Sequence, residues 1–460
     1  MLDFLQPSQP LRIGCGAGFS GDRTDAAGPV VQDLLAGLQS QGGHAVLIFE
    51  TLAERTLALA QLARRADPQA GYEPLLMDLL RPVLASCLAH GIRIVSNFGA
   101  AHPQAAAQAI FQLAQDLQLA PPRIAVVVGD AVREHPAVQS RARTLASPLV
   151  SANAYLGAQA IADALNHGAQ IVVCGRVADP ALTLGPAWAH YGWALDDWNA
   201  LAGATMAGHL LECGAQVTGG YYADPGFKDL PDLAHVGFPI AQIEADGSCT
   251  LSKPAGTGGR IDLHTVKEQL LYEIDNPAAY ITPDVVADIT TARVTALGPD
   301  RVQLSGVTGH PRPADLKVNL CQENGWLAEA EISYAGARAE ARARLAAAVV
   351  RERLPHLALR VDLMGVASLW MDDTGVALAA LPDQGGTDVR LRMATAHADK
   401  ALAEQLLREV TALYTCGPAG GGGVRTALRP RLGLVSCVLP REGIPSRFEM
   451  VEPLTAGQGG

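Results

Sequence analysis

The chain has 460 residues, 49% hydrophobic and 18% charged, with Lys+Arg 35 against Asp+Glu 46 for a net charge of −11. That length calls for two or three domains, the composition is that of a globular chain, and an acidic balance without charge runs argues against nucleic acid and anionic membrane surfaces. Eight scattered cysteines without a CxxC pair, no signal-peptide pattern and no apolar run of transmembrane length predict a soluble, cytoplasmic protein with reduced thiols.

In chain order, the first 200 residues read as α/β. Short apolar runs at 11–15, 45–49, 92–96, 123–128 and 171–174 predict strands. Ala/Leu/Gln-rich segments near 29–41, 53–65, 73–90, 103–118 and 155–167 predict helices between them. Strands apolar on both faces, alternating with helices, predict a doubly wound, mostly parallel sheet, a Rossmann-like domain over 1–200. Residues 201–288 form a connecting segment: a helix around His209, a Gly/Pro/Asp-rich stretch at 221–239, short strands near Ile243 and Thr250, and a helix at 263–273. From 289 to 460 the pattern is α+β. Hairpin-like pairs over 292–307 and 316–334, a helix at 337–353, strands near 359–368 and 388–393, a helix at 398–413 and a strand near 432–439 give this C-terminal part ferredoxin-like character.

Polar loops of small residues follow several of these strands, at 16–23, 97–103, 129–130 and 175–180. In an open parallel sheet the carboxyl ends of the strands carry the ligand site, so these loops predict a cleft along one edge. The first matches G-x-G-x-x-G through Gly16, Gly18 and Gly21. The charged run Asp22-Arg23-Thr24-Asp25 and the late position of Glu50 fit a dinucleotide site poorly. Such a turn also offers N–H groups to a carboxylate or phosphate, or is simply a tight turn. Arg23 and Arg176 suit bidentate capture of a substrate carboxylate. Arg176 with Asp179, in a turn closed by Pro180, equally suits a surface ion pair. Asn97 and His102 belong to the same edge.

The densest chemistry lies in Gly208-His209-Leu210-Leu211-Glu212-Cys213-Gly214-Ala215-Gln216-Val217-Thr218-Gly219-Gly220. Residues three and four apart share a helix face, so His209 and Glu212 are candidates for acid/base work, with Cys213 in support. Gly219 and Gly220 offer N–H groups to a developing charge. The same spacing also describes a satisfied core histidine beside a buried cysteine. Cys213 is a nucleophile only if a neighbour lowers its pKa. A divalent metal on His209 and Glu212 has usable spacing, yet no HExxH, paired histidine or cysteine cluster supports it, and no metal ligand is assigned. The GxSxG elbow and the P-loop are absent. Gly-rich stretches at 256–259 and 417–423, beside Arg260 and Arg425, read as phosphate nests or as connectors.

Six segments quoted above or here carry a family resemblance in their order along the chain. They are Cys15-Gly16-Ala17-Gly18-Phe19-Ser20-Gly21-Asp22-Arg23, Ser96-Asn97-Phe98-Gly99-Ala100, Gly175-Arg176-Val177-Ala178-Asp179, the 208–220 motif and Leu271-Tyr272-Glu273-Ile274, followed by Pro283-Asp284-Val285-Val286-Ala287-Asp288. The chain resembles the acyclic terpene utilisation protein AtuA family. The resemblance implies catabolism of organic acids or their acyl-CoA thioesters. It points to a hydratase, dehydratase or C–C lyase acting beside a carboxylate or thioester, with CoA thioester as substrate. Two alternatives stand: an NAD(P)-dependent oxidoreductase using the 16–21 loop, and a non-catalytic acyl-CoA-binding subunit. Longer members carry an extra C-terminal ferredoxin-like domain, which implies a homo-oligomer joined by a separately encoded small ferredoxin-like subunit. Cys174 stands where the family pattern suggests a small polar residue, which speaks against a catalytic role for that thiol.

Overall fold

The computed structural model describes residues 4–145 and 147–454. Packing divides the chain into two compact units, one of Met1–Thr144, Val150–Leu320 and Val435–Gly460, the other of Leu145–Leu149 and Cys321–Leu434.

Among the described residues, the first unit holds a ten-stranded sheet. At its centre five strands run parallel in the lateral order Leu11–Ala17, His44–Phe49, Arg93–Ser96, Ile171–Cys174, Ile124–Val128. These are the five apolar runs of the sequence. Almost every side chain in them is buried, as expected where helices cover a parallel sheet. Ala27–Gln41, Pro103–Asp116, Gln159–Asn166 and Ala181–Tyr191 pack against it. The sheet is nonetheless mixed. Ile240–Ile243, Cys249–Ser252, Arg301–Ser305 and Arg293–Gly298 extend it antiparallel beyond Leu11–Ala17, and Arg447–Val451 adds antiparallel to Ile124–Val128. Residues 240–252 therefore share a sheet with the N-terminal strands.

The helix Trp198–Glu212 is buried at every residue from Ala200 to Glu212. A helix apolar all round belongs in an interior, and its small residues permit that. A β-carbon on Gly203 would lie 2.4 Å from the Gly247 carbonyl oxygen, and one on Gly208 2.7 Å from that of Pro180. Its two ionisable residues, His209 and Glu212, are drawn inside with it and need partners there.

The second unit runs strand, helix, strand, short helix, strand, helix, strand, the short helix being Val376–Ala380. Its strands lie in the lateral order Arg360–Met364, Asp388–His397, Asp315–Ala335, Gly422–Pro440, and the helices Ala339–Arg353 and Lys400–Cys416 pack on the sheet. Ile332, Tyr334, Leu391 and Met393 meet Ala343, Val350, Leu406 and Val410 in its core. The hairpin expected over 316–334 is instead one 21-residue strand. Gly325 sits in it at φ +74°, where a β-carbon would fall 2.4 Å from the His397 carbonyl oxygen. Asn324-Gly325 thus marks a close approach within the sheet and not a reversal. No helix among the described residues is long and apolar enough to cross a membrane.

Candidate active site

Because the five central strands are parallel, the residues just past their ends gather on one edge: Gly18, Glu50, Asn97, Asp130 and Arg176. The end of the Trp198–Glu212 helix reaches the same place. A β-carbon on Gly18 would fall 2.4 Å from both the Cys213 carbonyl carbon and the Gly214 nitrogen. Gly208 meets Pro180 at the close of the Arg176–Asp179 turn. The 16–22 loop, that turn and the 209–213 segment are therefore neighbours.

His209 is 1% exposed and hydrogen-bonded at both ring nitrogens. Nε2 donates to the Gln269 carbonyl at 3.0 Å, and Nδ1 lies 3.0 Å from Glu212 Oε1. The side-chain amide of Gln269 donates back to the His209 carbonyl at 3.3 Å. The Tyr280 ring stands 5.4 Å from the imidazole. Burial opposes a charged imidazole, but the charge and hydrogen bond of Glu212 and the Gln269 carbonyl outweigh it and lift the His209 pKa. Burial lifts the Glu212 carboxyl to about 7 against the pull of His209, and Asp179 adds to the rise. Its second oxygen, Oε2, is buried and meets no hydrogen-bond partner among the described residues. The pair therefore shares a proton that is easily gained or lost near neutrality.

Two further carboxyls complete the group. Glu50 accepts from the Leu52 N–H at 2.8 Å and from Asn97 Nδ2 at 2.6 Å, and burial with the nearby Asp179 raises it to about 8. Asp179 is raised by burial and pulled down by Arg176. Beside them Glu54 goes the other way. Despite burial, the Tyr155 hydroxyl, Lys317 and Arg176 bring it to about 2.

Several candidates from the sequence hold the site together rather than present themselves to a ligand. Arg176 is 1% exposed; it donates to Asp179, to the Leu52 carbonyl and to the Val177 carbonyl at 2.8 Å, and lies over the Tyr155 ring at 4.5 Å. It braces Asp179 and has no open fork for a substrate carboxylate. Arg23 is likewise engaged, by Asp25 at 2.9 and 3.0 Å and the Val236 carbonyl at 3.2 Å. Asn97 is fully buried and accepts from Thr51 N–H at 2.7 Å while donating to Glu50, tying two strand ends together. Asp22 accepts from the Gly18 and Arg23 N–H groups, both at 2.8 Å, and so closes its own loop. The Gly219 and Gly220 N–H groups donate to the Gln216 and Ala215 carbonyls and are not open to a developing charge. Cys213 caps the helix, and burial together with Glu212 pushes its thiol well up, the opposite of what a nucleophile needs. With both His209 nitrogens facing oxygen acceptors, no ring lone pair is directed at a cation.

The glycines of the first loop are filled from within. A β-carbon on Gly16 would meet the Phe49 ring at 2.5 Å, and Gly18 admits the Cys213 backbone. Their openness thus serves protein packing, where a dinucleotide fingerprint uses it for pyrophosphate. Gly21, at φ +104°, turns the loop. The N–H groups of Phe19, Ser20 and Gly21 meet no acceptor among the described residues, which leaves three successive donors for an anionic oxygen.

Glu50, Gln269 and Tyr280 are the partners sequence reasoning passed over. Glu50 had a signal, since it occupies the same post-strand position as Asn97 and Arg176. Gln269 and Tyr280 come from distant segments and had none. Beside the site opens a cleft of about 530 Å³, walled by Leu52, Leu59, Ala63 and Met77, with Ser20, Thr51 and Glu73 on its polar side.

Residues 11–450 match the model of the acyclic terpene utilisation family protein AtuA. The chain belongs to that family. No curated protein and no solved structure matches it.

Proposed function

We propose that this member of the AtuA family acts in acyclic terpene breakdown as an enzyme that adds or removes water, or cleaves a C–C bond, beside a carboxylate or CoA thioester. The observation that carries this reading is Glu212: a carboxyl lifted to about 7, bonded through one oxygen to His209 and bare at the other, at the strand-end edge. A group that is half protonated near neutral pH serves both as base and as acid. In the dehydration direction Glu212 takes the proton α to the carbonyl, the C–O bond breaks, and a raised neighbouring carboxyl, Glu50 or Asp179, protonates the departing hydroxide to water. His209 holds and tunes Glu212 without touching substrate. The open N–H groups of Phe19, Ser20 and Gly21 receive the enolate oxygen. The apolar cleft takes a branched hydrocarbon chain.

The test incubates the purified protein with acyclic terpenoid acids and their CoA thioesters in D₂O and follows deuterium uptake and mass change. Glu212→Gln is expected to slow exchange and turnover about 10²-fold or more. Unchanged rates in that variant remove the assignment. A second reading, a non-catalytic acyl-CoA-binding subunit, is favoured by the complete hydrogen bonding of His209 and Arg176. It predicts thioester binding with no exchange in wild type or variant.

A further inference from the structure

A second cavity, of about 480 Å³, lies in the same unit, and of the strand-end residues named above only Asp130 lines it. It is lined by Arg64, Gln104, Asp130, Arg133 and Asn153, among others. Its lining includes the guanidinium groups of Arg64 and Arg133; Arg64 spends one Nη on the Ala101 carbonyl, and no carboxylate pairs with either among the described residues. The 14-residue helix Pro103–Asp116 begins beside them. Pro103 has no N–H, Ala105 donates to His102 Nδ1 at 3.4 Å and Ala106 donates to the His102 carbonyl at 3.2 Å. The Gln104 N–H is left with no acceptor among the described residues. Two guanidinium groups, a free N–H and the positive end of a helix make an anion seat.

The lining also holds acceptors with capacity to spare. Asn153 is 2% exposed; its amide donates to Asp130 Oδ2 at 2.8 Å and its own Oδ1 is buried with no partner. Asp130, 7% exposed, takes both Asn153 and the Arg176 N–H on Oδ2, so no donor from another residue reaches Oδ1. Buried acceptors in this state lose free energy until a donor meets them. Hydroxyl groups are such donors, and they are neutral, which suits a wall carrying a carboxylate.

We propose that this cavity binds a phosphorylated polyhydroxy compound of pentose phosphate size, its phosphate on Arg64, Arg133 and the Gln104 N–H, its hydroxyls on Asp130 and Asn153. The site contains neither His209 nor Glu212 and meets their surroundings only where Asp130 accepts the Arg176 N–H, so either reading can stand without the other. Calorimetric titration of the full chain with ribose 5-phosphate, ribonate and ribose tests it. Ribose 5-phosphate is expected to bind saturably and at least tenfold more tightly than ribonate, with ribose weaker still. Arg64→Ala and Arg133→Ala, both surface changes that spare the core, are each expected to weaken it about tenfold. Asp130→Asn, checked for its native circular dichroism, is expected to weaken ribose 5-phosphate while leaving inorganic phosphate unchanged. No saturable binding, equal affinity for ribose or ribonate, or indifference to both arginine changes overturns the proposal.

Discussion

The His209 ring lies between two oxygen acceptors, Glu212 Oε1 and the Gln269 carbonyl, each at 3.0 Å. A carbonyl only accepts, so Nε2 carries a proton. Nδ1 then either donates to an ionised Glu212 or accepts from a protonated one. The two states differ by the position of one proton inside a buried contact. That position is fixed by the neighbours: Asp179 favours the neutral carboxyl, and removal of any charge nearby shifts the balance.

Stability should therefore fall with rising pH in a way that depends on Glu212. Its unfolded pKa is about 4.3 and its folded value about 7. Between these the native chain holds a proton the unfolded chain has lost, so the contribution is greatest below the unfolded value and is lost as pH rises through 7. The raised His209 has the same sign, since its stabilisation is present below about 6.5 and lost above its folded value. Thermal unfolding from pH 5.5 to 8.0 is expected to show a loss to which Glu50, raised to about 8, also contributes, and Glu212→Gln is expected to remove a share on the order of 1–3 kcal/mol of it. Parallel curves for wild type and variant would show that the pair is not proton-linked to folding.

Arg176 is the brace of the carboxyl group, and its loss leaves Asp179 facing Glu50 and Glu212 with only Lys317 as a more distant counter-charge. Arg176→Met is expected to cost about 3–5 kcal/mol in urea unfolding, the usual result of breaking one side of a buried pair. Asp179→Asn added to it should recover more than half of that loss. If the double variant is as unstable as the sum of the two single ones, the two side chains are not coupled.

The parallel centre of the sheet was legible because runs such as 45–49 and 171–174 are apolar at every position, which only a strand covered on both faces requires. Leu149–Ala154 was missed for the opposite reason. It is buried throughout, yet Ser151 and Asn153 interrupt the apolar pattern. The stretch 316–334 read as a hairpin, but the positive φ that Gly325 tolerates in it serves a close backbone approach within one strand instead. At the site, local spacing identified His209 and Glu212 correctly as neighbours. It could not show that Gln269, sixty positions away, takes the other ring nitrogen. Nor could it show that Arg176 is turned inward onto backbone carbonyls.

Thiol reactivity separates the cysteines by burial. Cys416 is exposed, Cys213 and Cys437 are half-buried, and the other five are buried. Burial and the Glu212 charge both disfavour the Cys213 thiolate, so alkylation depends on a form that is scarce there. Brief iodoacetamide treatment of the native protein at pH 8, read by peptide mass spectrometry, is expected to modify Cys416 at least tenfold faster than Cys213. Rapid labelling of Cys213 would mean that its surroundings favour the anion after all.

The contact of the first loop with the helix end can be tested through two glycines that differ only in what surrounds them. Gly18→Ala puts a methyl 2.4 Å from the Cys213 carbonyl carbon, where neither backbone yields easily. Such overpacking is expected to cost about 1–3 kcal/mol and to move Glu212 with the helix end, lowering whatever activity the protein has. Gly28→Ala meets nothing within 4 Å in the first turn of the Ala27–Gln41 helix. There the added methyl only restricts the unfolded chain and favours the helix, for a gain of about 0.5–1 kcal/mol. Urea unfolding of both variants measures the difference. Equal and small effects would mean that the 16–22 loop does not press on the Trp198–Glu212 helix, and the neighbourhood that brings Glu212 to the strand-end edge would lose its support.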